Sequence, residues 1–327
     1  MAVLLQDPQN WRGENPILTE TEIDDIDHIV SNMIYEIMTP APGDCEMGYP
    51  FNARLSLHNN DPIPFGNRIS QDTLYLTPYL GDAMAYYDAV EGWLVDEFTQ
   101  LSLDIGTLTA STNYDIFVEY DSGFALVSEA WPTLNTRTNP LDYQNGILVQ
   151  SGEPTRRYAG SISVDSNQQL NLTLDNNGGT RFVQIDLWNM YNRVPTAFNI
   201  WESTDQWSAS ANVWEQWNKN PNNQAVIMQG IQGPVIEIVA RSYMATGLTY
   251  IAVFGVGFNS GLVPNATAVR GPYGHADEYY IPFAAQGILG TNILRLLQFQ
   301  PAVVNIWAGD FGTPSMYKII SYGKSEY

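Results

Sequence analysis

The sequence predicts a mainly β fold, a jelly-roll-like β-sandwich that follows an N-terminal arm and helix. Three observations support this prediction. Short runs of alternating apolar residues recur along the chain, Asn-Gly turn signals separate several of them, and helical periodicity is rare between them. This arrangement is typical of sandwiches rather than of folds that alternate strands with helices. A chain of 327 residues with 44% hydrophobic residues can bury a sizeable core.

The N-terminal region differs from the rest. Residues 1–18 predict an extended arm, and residues 20–38 predict a helix that starts at a capping box formed by Thr19 and Glu22. Apolar residues then alternate in steps of three and four, as in a trimeric coiled-coil seam; the alternative is an amphipathic helix packed on its own domain. The predicted seam consists of Ile23, Ile26, Val30, Met33 and Ile37.

Residues 40–72 are rich in Pro, Gly and Asn and predict a linker. The predicted organisation is therefore an anchoring and oligomerisation segment, residues 1–70, followed by a β-sandwich module, residues 71–327. A further division of the module near residues 165–180 is an alternative.

Strand patterns dominate from Leu74 onward. Asn145-Gly146 and Asn177-Gly178-Gly179 predict tight turns, and Ala245–Gly247 predicts the turn of a hairpin. Residues 204–217 and 286–298 are weaker helix candidates. The predicted strands are Leu74–Leu80, Leu101–Ile105, Tyr114–Tyr120, Phe124–Glu129, Ile147–Val149, Tyr158–Val164, Leu170–Leu174, Phe182–Leu187, Val235–Tyr243, Leu248–Phe258, Tyr279–Phe283 and Met316–Ser321.

Composition and charge exclude several classes of protein. The formal net charge is -21, from 14 Lys and Arg against 35 Asp and Glu. Because nucleic-acid affinity depends on basic residues that neutralise phosphates, we expect no nucleic-acid partner, and the same charge disfavours an anionic membrane surface. Cys45 is the only cysteine, which excludes a disulfide framework. The sequence shows neither a signal peptide nor an apolar run long enough to span a membrane.

No catalytic or cofactor motif stands out, so we predict no enzymatic activity, no cofactor and no metal. His28, His58 and His275 have no metal-site or triad spacing. Glu129 and Glu202 each lie near a Trp, a setting that raises carboxyl pKa values in glycosidases, and this leaves a polysaccharide hydrolase as a minor alternative. The acidic residues Asp277, Glu278 and Asp310 lie in predicted Gly-rich loops and give only a weak indication of Ca²⁺.

A Trp-rich stretch follows residue 200. Trp207, Trp214 and Trp217 have the spacing of one helical face, which favours burial in a core. Their Asn-, Ser- and Gln-rich surroundings also suit contact with a host glycan, so both interpretations stay open.

Three stretches carry a resemblance. The first is Leu74–Gly81, followed by Tyr87-Asp88 and Trp93; the second is Ser151–Gly160, with Arg156-Arg157-Tyr158; the third is Phe182 followed by Leu187–Val194. Together they resemble a β-rich module of tailed-phage virion proteins, over roughly residues 74–195. The residues that match the module are Arg156, Arg157, Trp188, Asn189, Tyr191, Asn192 and Arg193.

The matching residues also have an interpretation from their chemistry alone. We expect the three Arg residues to pair with carboxylates at sandwich ends or subunit interfaces, with ligand binding as the alternative. We expect Asn189, Asn192 and Arg193 to bond the backbone of a turn between residues 188 and 194.

The resemblance implies a non-enzymatic structural protein of the virion surface, either a capsid decoration (cement) protein or a fibre subunit. The expected partners are other copies of the chain, in a homotrimer, and virion proteins such as the major capsid or the neck and tail proteins. A receptor-binding fibre protein that recognises host glycans is the alternative.

Overall fold

Strands make up most of the computed structural model, which describes residues 49–64, 66–204, 206–246, 252–270, 277–301, 304–308 and 319–326. These residues form 25 strands and two short 3-10 turns, Ile105–Thr107 and Trp217–Lys219. Within them, no helix is long and apolar enough to cross a membrane.

The strand bounds in the first half of the chain are β1 Ala53–Ser56, β2 Arg68–Gln71, β3 Thr73–Pro78, β4 Ala83–Asp88, β5 Gly92–Glu97, β6 Leu101–Asp104, β7 Thr112–Tyr120, β8 Phe124–Ala130, β9 Leu141–Gln144, β10 Ile147–Gln150, β11 Glu153–Val164 and β12 Leu170–Thr173. The later strands are β13 Val183–Ile185, β14 Leu187–Asn189, β15 Pro195–Glu202, β16 Gln206–Ala209, β17 Trp214–Gln216, β18 Gln224–Gln229, β19 Val235–Thr246, β20 Ala252–Phe258, β21 Ala266–Arg270, β22 Asp277–Gln286, β23 Gly290–Phe299, β24 Val304–Ala308 and β25 Ile319–Glu326.

The strands form four sheets and a separate hairpin, β4-β5. Sheet I has the order β1-β3-β6, and sheet II has the order β8-β7-β11-β10-β9 with β14 beside β11. Sheet III has the order β2-β12-β13-β18-β23-β20-β21 with β17 beside β23. Sheet IV has the order β15-β25-β19-β24-β16 with β22 beside β19.

Strands β15 and β19 of sheet IV bury one face each, as in a sandwich. On β15, residues at every second position are buried, and residues 235–240 of β19 alternate in the same way. One core cluster joins sheets II and III through six buried side chains: Phe117, Trp131, Leu148, Tyr158, Trp188 and Met228. Sheets III and IV meet where the rings of Phe258 and Phe283 lie 5.9 Å apart.

The mainly β sandwich fold is therefore confirmed. Each strand predicted between Leu74 and Leu187 overlaps an observed strand. Both Asn-Gly turns are also confirmed, because Asn145 and Gly146 have φ values of 55° and 87° between the paired strands β9 and β10, and Asn177, Gly178 and Gly179 also have positive φ. Among the described strand pairs, one departs from the antiparallel order of a jelly roll: β13 and β18 pair in parallel.

The predicted hairpin around Ala245–Gly247 is wrong. β19 pairs with β22, β24 and β25 in sheet IV, whereas β20 pairs with β21 and β23 in sheet III. The chain crosses here from one sheet to another. Two apolar runs separated by a short polar stretch fit such a crossing as well as they fit a hairpin.

Both weaker helix predictions are also wrong. Residues 204–217 contain β16 and β17, and residues 286–298 lie mostly in β23. The burial of β23 alternates from Gly290 to Leu296, which is the period of a strand.

The linker prediction for residues 40–72 is wrong for β1 and β2. The four residues of β1 are all buried, and β1 pairs with β3 in sheet I. β2 pairs with β12 in sheet III. The arm, the predicted helix and the trimer seam lie in residues 1–48, outside the described residues, and stay predictions.

Candidate functional site

Most of the residues that carry the resemblance lie where β1, β11 and β14 come together. Arg157 on β11 is 1% exposed. Its guanidinium donates to the carbonyl oxygens of Pro50 (2.9 Å), Ala85 (2.7 Å) and Tyr49 (3.2 Å). Three aromatic rings surround it, with centroids 4.8, 5.0 and 5.5 Å from Cζ: Phe51, Tyr191 and Trp93, respectively.

The two Asn residues of the motif bond the backbone of β1 and of Phe51, just before it, rather than that of their own turn. Asn189 accepts from the Leu55 N–H at 2.7 Å and donates to the Leu55 carbonyl oxygen at 3.2 Å. Asn192, with φ at 54°, donates to the carbonyl oxygens of Phe51 (2.7 Å) and Ala53 (3.1 Å). The side chains thus satisfy backbone groups that a neighbouring strand would otherwise pair.

The expectation for the three Arg residues is met only in part. Arg156 forms an ion pair with Glu119, as expected. Arg157 instead bonds backbone carbonyls within an aromatic cage, and Arg193 lies over the ring of Trp188, 5.6 Å from its centroid. Because Arg157 is enclosed, its role is to hold β11 to the hairpin β4-β5 and to residues 49–51.

A second group of residues beside this junction forms a closed polar network. Asp115 on β7 accepts from Arg137 Nε at 2.7 Å and from the Ser161 hydroxyl at 2.7 Å. The Tyr158 hydroxyl lies 2.6 Å from the Ser161 hydroxyl and accepts from Arg137 at 3.0 Å. Arg137 also donates to the carbonyl oxygen of Gly230. We call Asp115, Arg137, Tyr158 and Ser161 the buried network.

A β-bulge explains how β11 contributes two side chains to this network. The register between β11 and β7 shifts between Tyr158 and Gly160. Side chains three residues apart on a regular strand point to opposite faces, and the extra residue of the bulge brings Tyr158 and Ser161 to the same face. Gly160 has no room for a side chain, because a Cβ there would overlap the Trp188 carbonyl oxygen.

Burial controls the electrostatics of the buried network. Asp115, Tyr158 and Ser161 are all 0% exposed. Burial raises the pKa of Asp115, and the cation of Arg137 opposes this rise. Burial also raises the pKa of the Tyr158 hydroxyl. The Ser161 hydroxyl is hydrogen-bonded and closed to solvent, so the arrangement stabilises the fold and presents no accessible nucleophile.

Asp186, between β13 and β14, is a second buried carboxylate. It accepts from the Asn171 backbone N–H at 2.8 Å and from the Gln184 amide at 2.8 and 2.9 Å. Burial raises its pKa to about 7 despite these donors. Asp186 is therefore sensitive to pH near neutrality.

The Trp-rich region does not form the predicted helical face. Trp207 lies on β16 and donates to Gln298 Oε1 at 2.9 Å, whereas Trp217 lies in a 3-10 turn and donates to the Leu297 carbonyl oxygen at 3.0 Å. Both are buried, at 6% and 0% exposure, so packing accounts for them. Trp214, on β17, is half-buried beside the ring of Phe299.

The two carboxylates that suggested a hydrolase lie on different sheets. Glu129 on β8 in sheet II accepts from Asn139 at 2.7 Å and Gln150 at 3.2 Å. Glu202 on β15 in sheet IV is buried and accepts from Asn223 at 2.8 Å. Amide donors hold both in place.

In the described part of the chain, no group of three His, Cys, Asp or Glu residues could hold a metal ion. Asp277 and Glu278 lie on β22 rather than in the predicted loop. Asp310, His28 and His275 lie outside the described residues. His58 is exposed, 3.9 Å from Asp61.

An open cleft of about 500 Å³ lies between one end of the hairpin β4-β5 and the β7-β8 turn. We call it the acidic–aromatic cleft. The Tyr120 hydroxyl donates to Asp96 Oδ2 at 2.9 Å, and this hydrogen bond raises the pKa of Tyr120. The residues that line the acidic–aromatic cleft include Asp82, Asp96, Glu97, Phe98, Tyr120 and Phe124.

Sequence reasoning missed both the buried network and the acidic–aromatic cleft. Asp115 and Ser161 become neighbours only through the pairing of β7 with β11. Arg137 lies in an irregular segment, and the only available signal was the scarcity of basic residues, which makes each Arg a candidate for a specific partner.

Comparisons with known proteins do not assign the chain to a family. No protein-family model matches it, and no curated protein matches its sequence. Among solved structures, infectious bursal disease virus shares 12% identity over 75% of this chain and 68% of that chain, with a TM-score of 0.21. An insecticidal delta-endotoxin from Bacillus thuringiensis shares 6% identity over 84% of this chain and 51% of that chain, also with a TM-score of 0.21. TM-scores this low carry no argument about function.

Proposed function

We propose that this chain is a non-enzymatic structural subunit of a tailed-phage virion surface, as a capsid decoration protein or a fibre subunit. The observation that carries the proposal is the placement of the residues that match the phage module. Arg157 holds β11 to residues 49–51 and to the hairpin β4-β5, and Asn189 and Asn192 hold the segment that contains β14 to residues 51–55. The resemblance therefore rests on residues that build the fold, as expected for a module shared among structural proteins.

The charge distribution supports the same proposal. A net charge of -21 keeps the protein soluble and away from packaged nucleic acid. The buried network uses its Asp, Arg, Tyr and Ser for internal bonds, which is consistent with a structural role.

Location on the particle is the direct test. Gold-labelled antibodies against the chain should bind the surface of intact, purified particles, and mass spectrometry of those particles should detect the chain at many copies. Absence from the purified particles would overturn the proposal.

The proposed homotrimer is tested separately. Native mass spectrometry of the purified protein should give three copies per assembly. Ile26→Asp with Val30→Asp should reduce the assembly to monomers, because both substitutions place charges in the predicted seam. If the trimer persists with both substitutions, the predicted seam is excluded as its interface, but the homotrimer itself is not excluded.

The receptor-binding alternative loses two of its three Trp contacts, because Trp207 and Trp217 are buried. Only Trp214 is partly accessible. A glycan array with wild type and Trp214→Ala tests this alternative: no binding by wild type would remove it.

A further inference from the structure

The acidic–aromatic cleft has a chemistry that the structural role does not use. Its aromatic side is built from rings set nearly at right angles. Phe124 lies 4.9 Å from Tyr120 at 76° and 6.1 Å from Phe98 at 77°. On its other side, Tyr120 stacks on Tyr86 at 3.8 Å, which fixes the position of its ring.

The charged groups of this cleft all have the same sign. Asp82, Asp96 and Glu97 are exposed carboxylates, and none of the described residues that line the cleft is Lys, Arg or His. Asp96 accepts from Tyr120 through one oxygen and from the Glu97 N–H through the other. Each carboxylate oxygen can accept more than one hydrogen bond, so Asp96 can still accept from a ligand.

Aromatic rings and carboxylates favour the same kind of ligand. The face of an aromatic ring attracts cations through its quadrupole, and carboxylates attract them by charge. The rings also provide apolar contact for the carbon atoms of a ligand, which a bare metal ion lacks.

We propose that the acidic–aromatic cleft binds an organic cation, an ammonium or guanidinium group attached to apolar carbon. The group can belong to a small amine or to a Lys or Arg side chain of a neighbouring protein. This inference goes beyond the proposed structural role and is independent of where the chain lies on a particle.

Calorimetric titration of the full chain with choline tests the proposal, and 3,3-dimethylbutan-1-ol serves as the matched neutral probe of the same shape. Choline should bind saturably, with one site per chain, and the neutral probe should bind at least about tenfold more weakly. Asp96→Asn and Phe124→Ala should each weaken choline binding by about tenfold.

Asp142→Asn is the matched control, because it removes one exposed negative charge on β9, away from the cleft. It should leave choline binding unchanged. Asp96 is exposed, so Asp96→Asn should keep the thermal transition of wild type even if Phe124→Ala does not.

A short peptide with one Lys among neutral residues distinguishes the two sources of the cation. Tighter binding of the peptide than of choline would assign the cleft to a protein neighbour, and the reverse would assign it to a small amine. Three results would overturn the proposal: no saturable binding of choline or the peptide, equal binding of the neutral probe, or equal weakening by Asp142→Asn.

Discussion

The buried network and the acidic–aromatic cleft contain similar groups in opposite surroundings. In each, an Asp oxygen accepts a hydrogen bond shorter than 3 Å, from Arg137 and Ser161 in the network and from Tyr120 in the cleft. Asp115 is 0% exposed, whereas Asp96 is exposed. The difference teaches that solvent exposure of the carboxylate, rather than the geometry of its hydrogen bonds, decides whether the carboxylate stabilises the fold or stays available to a ligand.

The largest effect is expected from Arg137→Leu. This change leaves the Asp115 carboxylate buried without its cation, which should reduce the free energy of unfolding by about 3–5 kcal/mol. Chemical denaturation followed by Trp fluorescence measures it.

The double variant Arg137→Leu with Asp115→Asn is the control for this experiment. Because it removes both charges, it should recover part of the lost stability. A single variant as stable as wild type would show that the network is not closed to solvent.

The effect of burying a carboxylate can also be measured at Asp186, through the dependence of stability on pH. Its pKa is raised from an ordinary 3.8 to about 7 in the folded protein, so the unfolded chain ionises first as pH rises. The contribution of Asp186 to stability should therefore be greatest below about pH 4 and fall by up to about 4 kcal/mol as pH rises to about 7.

The comparison between wild type and Asp186→Asn isolates this effect. Denaturation midpoints measured from pH 4 to 8 should show the slope in wild type and in Asp142→Asn, but a flatter profile in Asp186→Asn. Equal slopes in all three proteins would contradict the assignment.

A smaller loss is expected from Asn189→Ala. It removes both bonds to Leu55 and leaves a buried N–H and C=O of β1 without these partners, which should cost about 1–3 kcal/mol. Asn189→Asp should retain the acceptor and lose the donor. Denaturation curves for the two variants therefore separate the contributions, and no loss in either would contradict the role assigned to this residue.

The smallest effect on stability is expected from a substitution in the acidic–aromatic cleft. Tyr120→Phe removes the hydroxyl bonded to Asp96 and keeps the stacked ring, so stability should change by less than about 1 kcal/mol. A larger decrease in the thermal transition temperature would mean that the cleft stabilises the fold as the buried network does.

Local patterns were enough to predict the sandwich and most strands before residue 190, because alternation and Asn-Gly turns are encoded within a few residues. These local patterns gave wrong predictions where pairing between distant strands determines the structure. The segment around residue 246 fits a hairpin locally, yet β19 and β20 belong to different sheets. β1 was missed although Ala53-Arg54-Leu55-Ser56 alternates apolar and polar residues, because the Pro, Gly and Asn around it favoured a linker.

The site residues divide in the same way. The motif residues Arg156–Arg157 and Trp188–Arg193 were found because they are contiguous in sequence. Asp115, Arg137 and Gly230 come from three separate segments, and only the folded chain brings them together.

The position of β25 has a consequence for protein synthesis. It pairs with β15 on one side and with β19 on the other, so sheet IV has a gap until the ribosome has made residues 319–326. A nascent chain that stalls before this point would leave both neighbouring strands with open edges, which invite pairing between molecules. Sheet IV can therefore close only once β25 has been made, and termination before β25 should give aggregates instead of a smaller folded product.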